Sequence, residues 1–271
     1  MTPAAIAAAF EAACRAEIEA LKPGNVHVHA GGHGMSVADF LTSAKVSAPA
    51  IAAAGRSVGE RILAAVEATR AAVGQNTNLG IILLCAPLAT AAETGRHLAD
   101  VLAGLSRADA SAAFRAIRIA SPGGLGRSAR HDVAEEPEVT LLEAMRQAAG
   151  RDRIARQYSE NFVDVLNVGV PALRAGRTAG LSEPWAVTWC YLAFLSRFAD
   201  SHVLRKQGPD VAEQVRQQAA GLIASCPEIH DLPSLSNDLI SFDRELKTAG
   251  INPGTGADLT VASHLAAFLY G

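Results

Sequence analysis

Along this chain apolar residues recur every three or four positions, and no stretch of four to eight residues alternates cleanly enough to read as a strand. The period predicts a first helix over residues 3–21, stopped by Lys22-Pro23-Gly24. It predicts others over 37–73, with a break near Pro49 or Gly55, over 77–105 and over 108–119. The stretch opening at residue 77 is apolar on most faces and is therefore expected at the centre of the fold. A loop rich in Gly, Ser and charge occupies 121–137. Beyond it, helices are predicted over 139–149, 154–175, 183–198, 210–224, 234–249 and 255–269. No fixed-period repeat and no long polar linker interrupts the pattern. The reading is one all-α domain over 1–271, built of nine or ten helices, with a cleft lined by the loops that join them.

Composition narrows the class. Hydrophobic residues make up 49% of the 271 positions and aromatics only 5%, so the core is built from Ala, Leu, Val and Ile. Ala supplies roughly one residue in five and is the best intrinsic helix former. A charged fraction of 19% with net charge −3 excludes both the basic stripe of a nucleic-acid binder and a charge-rich disordered chain. Cys14, Cys85, Cys190 and Cys226 stand far apart with no C-x-x-C pair, which reads as free thiols rather than a zinc ribbon or a disulfide framework. Residues 1–20 carry Glu11, Glu17 and Glu19 and no basic segment, unlike a secretory leader. The longest apolar run is about a dozen residues and contains Pro87, too short for a bilayer. A soluble cytoplasmic protein with no membrane or nucleic-acid partner is expected; a homo-oligomer is left open.

Polar residues and glycines concentrate at five helix junctions. These are Lys22 to His27, Asn76 to Gly80, Ser121 to Gly126, Asp200 to Lys206 and Asn252 to Asp258. Singly, each is ordinary turn and cap chemistry. Five in one helical protein point to ligand contacts carried on loops that a rigid scaffold holds. Asn252, Gly254 and Thr255 open a helix whose N–H groups and dipole suit phosphate, and Asp258 one turn in suits a cation beside it. This is not a P-loop, since no G-K-[ST] follows. Asp200, His202, Arg205 and Lys206 put a carboxylate, an imidazole and two cations within seven residues, the residue types of a metal–phosphate site. Asp132 with Arg127 forms a similar group after the glycine-rich loop. His27, His29 and His33 cluster without a Cys or H-E-x-x-H partner, which argues against zinc. No G-x-S-x-G elbow or G-x-G-x-x-G after a strand is present.

The ordered set of junctions resembles the triphosphoribosyl-dephospho-CoA synthase family. The landmarks run from Glu17 and Lys22-Pro23-Gly24 through Asn76-Thr77 and Gly80 to Asp200, then Pro253-Gly254 and Ala257-Asp258-Leu259. The resemblance implies an all-helical transferase of prosthetic-group biosynthesis, moving a triphosphoribosyl group from ATP to dephospho-CoA with adenine leaving. It implies Glu17, Asp200 and Asp258 as catalytic residues. Lys22, Asn25, His27, His33, Asn76, Thr77, Asn78, Arg127, His202, Arg205, Lys206, Asn252, Gly254 and Thr255 then bind substrate. Magnesium is expected on Asp132, Asp200 and Asp258.

The chain also departs from the family pattern. Lys-Pro-Gly-Leu-Val-Asp becomes a segment with Asn25 and His27, and Thr-His-Lys-Gly becomes Thr77-Asn78-Leu79-Gly80. Gly34 and Met35 stand where an acidic residue usually follows the histidine at 33. Asp-Thr-Asn becomes Asp200-Ser201-His202. Losing a lysine at a ligand site is not conservative. A changed acceptor, in one-carbon (methanopterin-type) cofactor biosynthesis, and a non-catalytic nucleotide-binding protein are therefore the alternatives.

Overall fold

A computed structural model describes residues 1–31, 34–121 and 133–271. Among the described residues the fold is all-α, with one isolated bridge between His27 and Ala30 and no strand. In chain order the helices are α1 (Pro3–Glu19), α2 (Val37–Ile51), α3 (Val58–Val73), α4 (Leu79–Thr94), α5 (Leu98–Ala103), α6 (Arg107–Ala120) and α7 (Leu141–Ala148). There follow α8 (Arg153–Ser159), α9 (Val170–Thr178), α10 (Glu183–Arg197), α11 (Ser201–Gln207), α12 (Pro209–Ala224), α13 (Ser236–Thr248) and α14 (Gly254–Leu269). A π-helical turn, Val165–Gly169, runs into α9, and a 3₁₀ turn, Ile229–Leu235, precedes α13.

The chain packs as two compact units. One comprises residues 1–12, 39–162 and 265–271, the other 13–38 and 163–264. In the first unit α4 is buried on nearly every face, as its continuous apolar run predicts, and α3, α5 and α8 pack around it. Pro87 lies inside α4 and cannot donate to the carbonyl of Leu83; the buried Tyr158 hydroxyl donates to that carbonyl instead, at 2.5 Å. Capping boxes start α3 (Ser57, Glu60) and α6 (Ser106, Asp109). Asp109 also accepts the Gly59 N–H at 2.8 Å, which fastens the starts of these two helices together. Arg61 is wholly buried, donating to the carbonyls of Ile51 and Arg56 and pairing with Glu93.

In the second unit α10 is central. α9, α12 and the π-helical turn pack on it, and Tyr191, Leu192 and Leu195 meet Leu21, Val215, Leu232, Leu239, Phe242 and Leu246 in one core. No helix among the described residues is long and apolar enough to cross a membrane.

Among the described residues the α-helices number fourteen rather than nine or ten, because long periodic stretches are cut. The stretch 77–105 breaks at Gly95, which takes a left-handed conformation. The stretch 154–175 breaks where Asn161 and Phe162 both take positive φ. Residues 201–207, read as part of a helix junction, form α11.

Candidate active site

Three of the five polar junctions lie in the second unit, and there they are wired together. The loop after α1 is built on a buried ion pair. Lys22 has no solvent exposure, and its Nζ contacts Glu17 Oε1 at 2.6 Å while donating to the Val26 carbonyl at 2.5 Å and to Asn25 Oδ1 at 3.3 Å. Burial pushes the Glu17 carboxyl up and the Lys22 amine down, and each partner opposes the other's shift. An ammonium has three N–H donors, and all three are engaged within the loop. The expected phosphate contact from Lys22 is thus not available as the side chain stands; it ties the loop instead.

Gly24 sits at φ +82°, and a Cβ there would fall 2.7 Å from Pro253 Cδ. Glycine is therefore needed both for the turn and for the close approach of the chain leading into α14. Asn25 Nδ2 donates to Asn252 Oδ1 at 2.9 Å, and the buried Tyr191 hydroxyl donates to the Pro23 carbonyl at 2.7 Å.

Asp200 joins the starts of α11 and α14. Its Oδ1 accepts the N–H groups of His202 (2.8 Å) and Val203 (3.1 Å), and its Oδ2 accepts that of Gly256 at 2.8 Å. Thr255 Oγ1 lies 3.0 Å from Ser201 Oγ and accepts the His202 N–H at 3.2 Å. His202 packs so tightly on Gly254 that a Cβ there would meet Nδ1 at 2.5 Å. The anion slot that the sequence pattern predicts at the start of α14 is thus taken by a side chain of the protein itself. Burial raises the Asp200 carboxyl to about 6 against the pull of these N–H donors.

These bonds also bear on magnesium. Asp200 does not fit a magnesium ligand in this arrangement, because its oxygens already serve backbone donors. Among the described residues no three His, Cys, Asp or Glu side chains gather as a metal cage. Asp258, half-buried in α14, is the remaining carboxylate of the expected set. Asp132, Arg127 and His33 lie outside the described residues. Arg205 is half-buried and Lys206 exposed in the last turn of α11.

A group that the sequence pattern did not single out completes this region. Asp243 and Lys247, one turn apart on α13, face the α1–α2 loop. Asp243 Oδ1 accepts the Gly24 N–H at 2.9 Å and lies 3.3 Å from His27 Nε2. Lys247 Nζ donates to Asp243 Oδ2 at 3.0 Å and to the Ala30 carbonyl at 3.1 Å, and lies 3.2 Å from His27 Nε2. The His27 ring is 1% exposed and its Nδ1 has no hydrogen-bond partner, an omission that ordinarily costs about 1–3 kcal/mol.

Of the other two junctions, residues 122–126 lie outside the described residues, and Asn76 to Gly80 belongs to the first unit. Asn76 Oδ1 accepts the Leu79 N–H at 3.1 Å, capping α4. Thr77 Oγ1 lies 2.5 Å from Ser43 Oγ, and Asn78 Nδ2 donates to Ser47 Oγ at 3.3 Å. Leu79 is 8% exposed. Thr77 and Asn78 thus meet Ser43 and Ser47, one turn apart on α2, and Asp39 a turn earlier accepts from Gln75 Nε2 at 3.3 Å.

The all-α fold is one already solved. The crystal structure of an Archaeoglobus fulgidus protein assigned as a triphosphoribosyl-dephospho-CoA synthase superposes with a TM-score of 0.66 at 24% identity, over 86% of this chain and 99% of that one. The model of the CitG family, ATP:dephospho-CoA triphosphoribosyl transferase, matches residues 3–270, and the chain belongs to that family. Two curated relatives carry the name "Probable 2-(5''-triphosphoribosyl)-3'-dephosphocoenzyme-A synthase". The one from Pseudomonas fluorescens is 31% identical over 57% of this chain and 50% of its own length. The one from Pseudomonas putida is 28% identical over 48% and 46%. The chain thus matches about half the length of these relatives.

Proposed function

We propose that this chain is a transferase that moves the triphosphoribosyl group of ATP to a hydroxyl of a cofactor precursor, with dephospho-CoA as the family's acceptor and adenine as the leaving group. The match of the family model to residues 3–270 carries this reading. Cleaving the C1′–N bond builds positive charge on the ribose, which carboxylates stabilise. Asp258 is the residue assigned to that charge and to magnesium arriving on the triphosphate, since this ion is commonly held by one or two carboxylates plus substrate phosphates. Arg205 and Lys206 are assigned to the triphosphate. In the second unit Asn25, His202 and Asn252 are assigned to hydrogen bonds with substrate; in the first unit Asn76 and Thr77 keep the substrate-binding role that the family resemblance gives them. Glu17, Lys22 and Asp200 act by holding the loop and the helix starts in place.

The test is incubation of the purified protein with ATP, magnesium and dephospho-CoA, with adenine measured by chromatography and the product by mass. Adenine should appear in step with a product heavier by one triphosphoribosyl unit. ATP binding without adenine release, whatever the acceptor, would make the chain a nucleotide-binding protein. A second reading, a changed acceptor in one-carbon (methanopterin-type) cofactor biosynthesis, is favoured by His27 in the place of an aspartate and by the inward turn of Leu79. A panel of hydroxyl-bearing cofactor precursors decides between the two.

A further inference from the structure

We infer that His27 is the base that takes the proton of the acceptor's hydroxyl, and that Asp243 and Lys247 are the positioning residues that hold its ring for that role. The inference rests on the transferase reading and names what that reading lacks, the group that activates an alcohol acceptor.

The argument starts from the unpartnered Nδ1. Lys247 is satisfied by the Ala30 carbonyl and by both oxygens of Asp243. It therefore does not require a lone pair on His27 Nε2. Asp243, an acceptor, lies 3.3 Å from that nitrogen. With the ring proton on Nε2, facing Asp243, the lone pair is left on Nδ1. Here a carboxylate orients the ring and the far nitrogen is left without a partner, the arrangement of a general base. His27 opens the short turn closed by the His27–Ala30 bridge, whose residues Val28 and His29 are exposed. Asn25, two residues away, is bonded to Asn252 at the entry to α14, so the loop that carries His27 is tied to the junction that carries Asp258.

The step balances without a further reactant. The acceptor oxygen bonds to ribose C1′ as the C1′–N bond breaks, and its electron pair leaves on adenine. The hydroxyl proton passes to His27 Nδ1 and then to the departing base. Asp243 and Lys247 on α13, Lys22 on the loop and the imidazole of His29, whose ring centre lies 5.8 Å away, are the charged or ionisable neighbours of the ring among the described residues. Burial, aided by Lys247 and Lys22, holds the imidazole below its usual value, while Asp243 pulls the other way. The ring is thus neutral at pH 7, and activity should fall as pH drops through a value below about 6.5.

The test compares His27→Gln and Asp243→Asn with the wild-type chain. Gln keeps an N–H for Asp243 and carries no basic lone pair. Expected are a kcat loss of about 100-fold or more with KM changed by less than about threefold, and disappearance of the acid limb of the pH–rate profile. Asp243→Asn should move that limb to lower pH. A His27→Gln enzyme with wild-type kcat and an unchanged limb overturns the inference. If wild-type protein releases no adenine, or the Gln variant fails to fold, ¹⁵N spectra of wild-type histidines decide. A shift of His27 Nδ1 on adding dephospho-CoA or another hydroxyl acceptor from the panel upholds the contact, and no shift with any of them overturns it. The first case also rejects the transferase reading, so the two failures are told apart.

Discussion

Asp200 Oδ2 accepts the N–H of Gly256, 56 residues along the chain, at 2.8 Å. Because Oδ1 caps α11 at the same time, one carboxyl sets the spacing between the starts of two helices. A negative side chain at a helix N-terminus is ordinarily held well down in pKa, but here burial dominates and the value rises to about 6.

That sign gives the first prediction. The folded chain holds the Asp200 proton more tightly than the unfolded one, so this group's contribution to stability falls as pH rises from about 4 to 6. In Asp200→Asn the dependence vanishes. The stability gap between wild type and Asp200→Asn, measured by urea unfolding, should be larger at pH 4.5 than at pH 7 by about 2 kcal/mol. A gap that narrows toward acid would show the carboxyl to be held low instead.

Lys22 and Glu17 give the second. Lys22→Met leaves a carboxylate buried without its partner and should cost about 3–5 kcal/mol. The double variant Glu17→Gln/Lys22→Met should recover most of that loss in the same urea titration. Since every Lys22 donor is engaged internally, the folded double variant should bind ATP within about threefold of wild type, well under the tenfold that 1.4 kcal/mol would bring. A loss of tenfold or more by calorimetry would return Lys22 to the triphosphate.

Much of this was legible in the residues, and what was not has physical reasons. Helical period exposed the scaffold, and the polar junctions exposed Lys22, Asp200 and Asn252 as points of importance. Their roles were hidden because a lysine that binds phosphate and one that closes a loop look alike in a row of letters. Asp243 and Lys247 drew no notice because an i,i+4 acid–base pair is usually a solvated helix face. Their pairing with His27 spans some 220 positions. The short α11 was missed because its cap, Asp200, and its last-turn cations were the same residues that suggested a metal–phosphate site.

Magnesium supplies the third prediction. EDTA should abolish adenine release and added magnesium should restore it, because the ion comes bound to ATP. Asp258→Asn should raise the magnesium concentration needed for half-maximal rate by about tenfold, the effect of losing roughly 1.4 kcal/mol of binding. Full activity in EDTA, or an Asp258→Asn enzyme with an unaltered metal requirement, would remove Asp258 from this role.

The last prediction concerns Leu79, where the family pattern has a lysine. Its side chain is 8% exposed in the first turn of α4, its N–H is bonded to Asn76, and its neighbour Asn78 is turned to Ser47. This start of α4 is an inward-facing cap. Restoring the family residue by Leu79→Lys should therefore not rescue use of dephospho-CoA; it should bury an ammonium and cost about 3 kcal/mol of stability. The wild-type chain, lacking that cation and carrying His27 for an aspartate, should turn over dephospho-CoA at well below ~1 per second, under the ordinary enzyme range. Thermal melting and adenine release, measured on both proteins, decide the matter. A stable Leu79→Lys enzyme that gains tenfold or more with dephospho-CoA would mean that position 79 faces the substrate, and that its apolar residue is what turned the enzyme toward another acceptor.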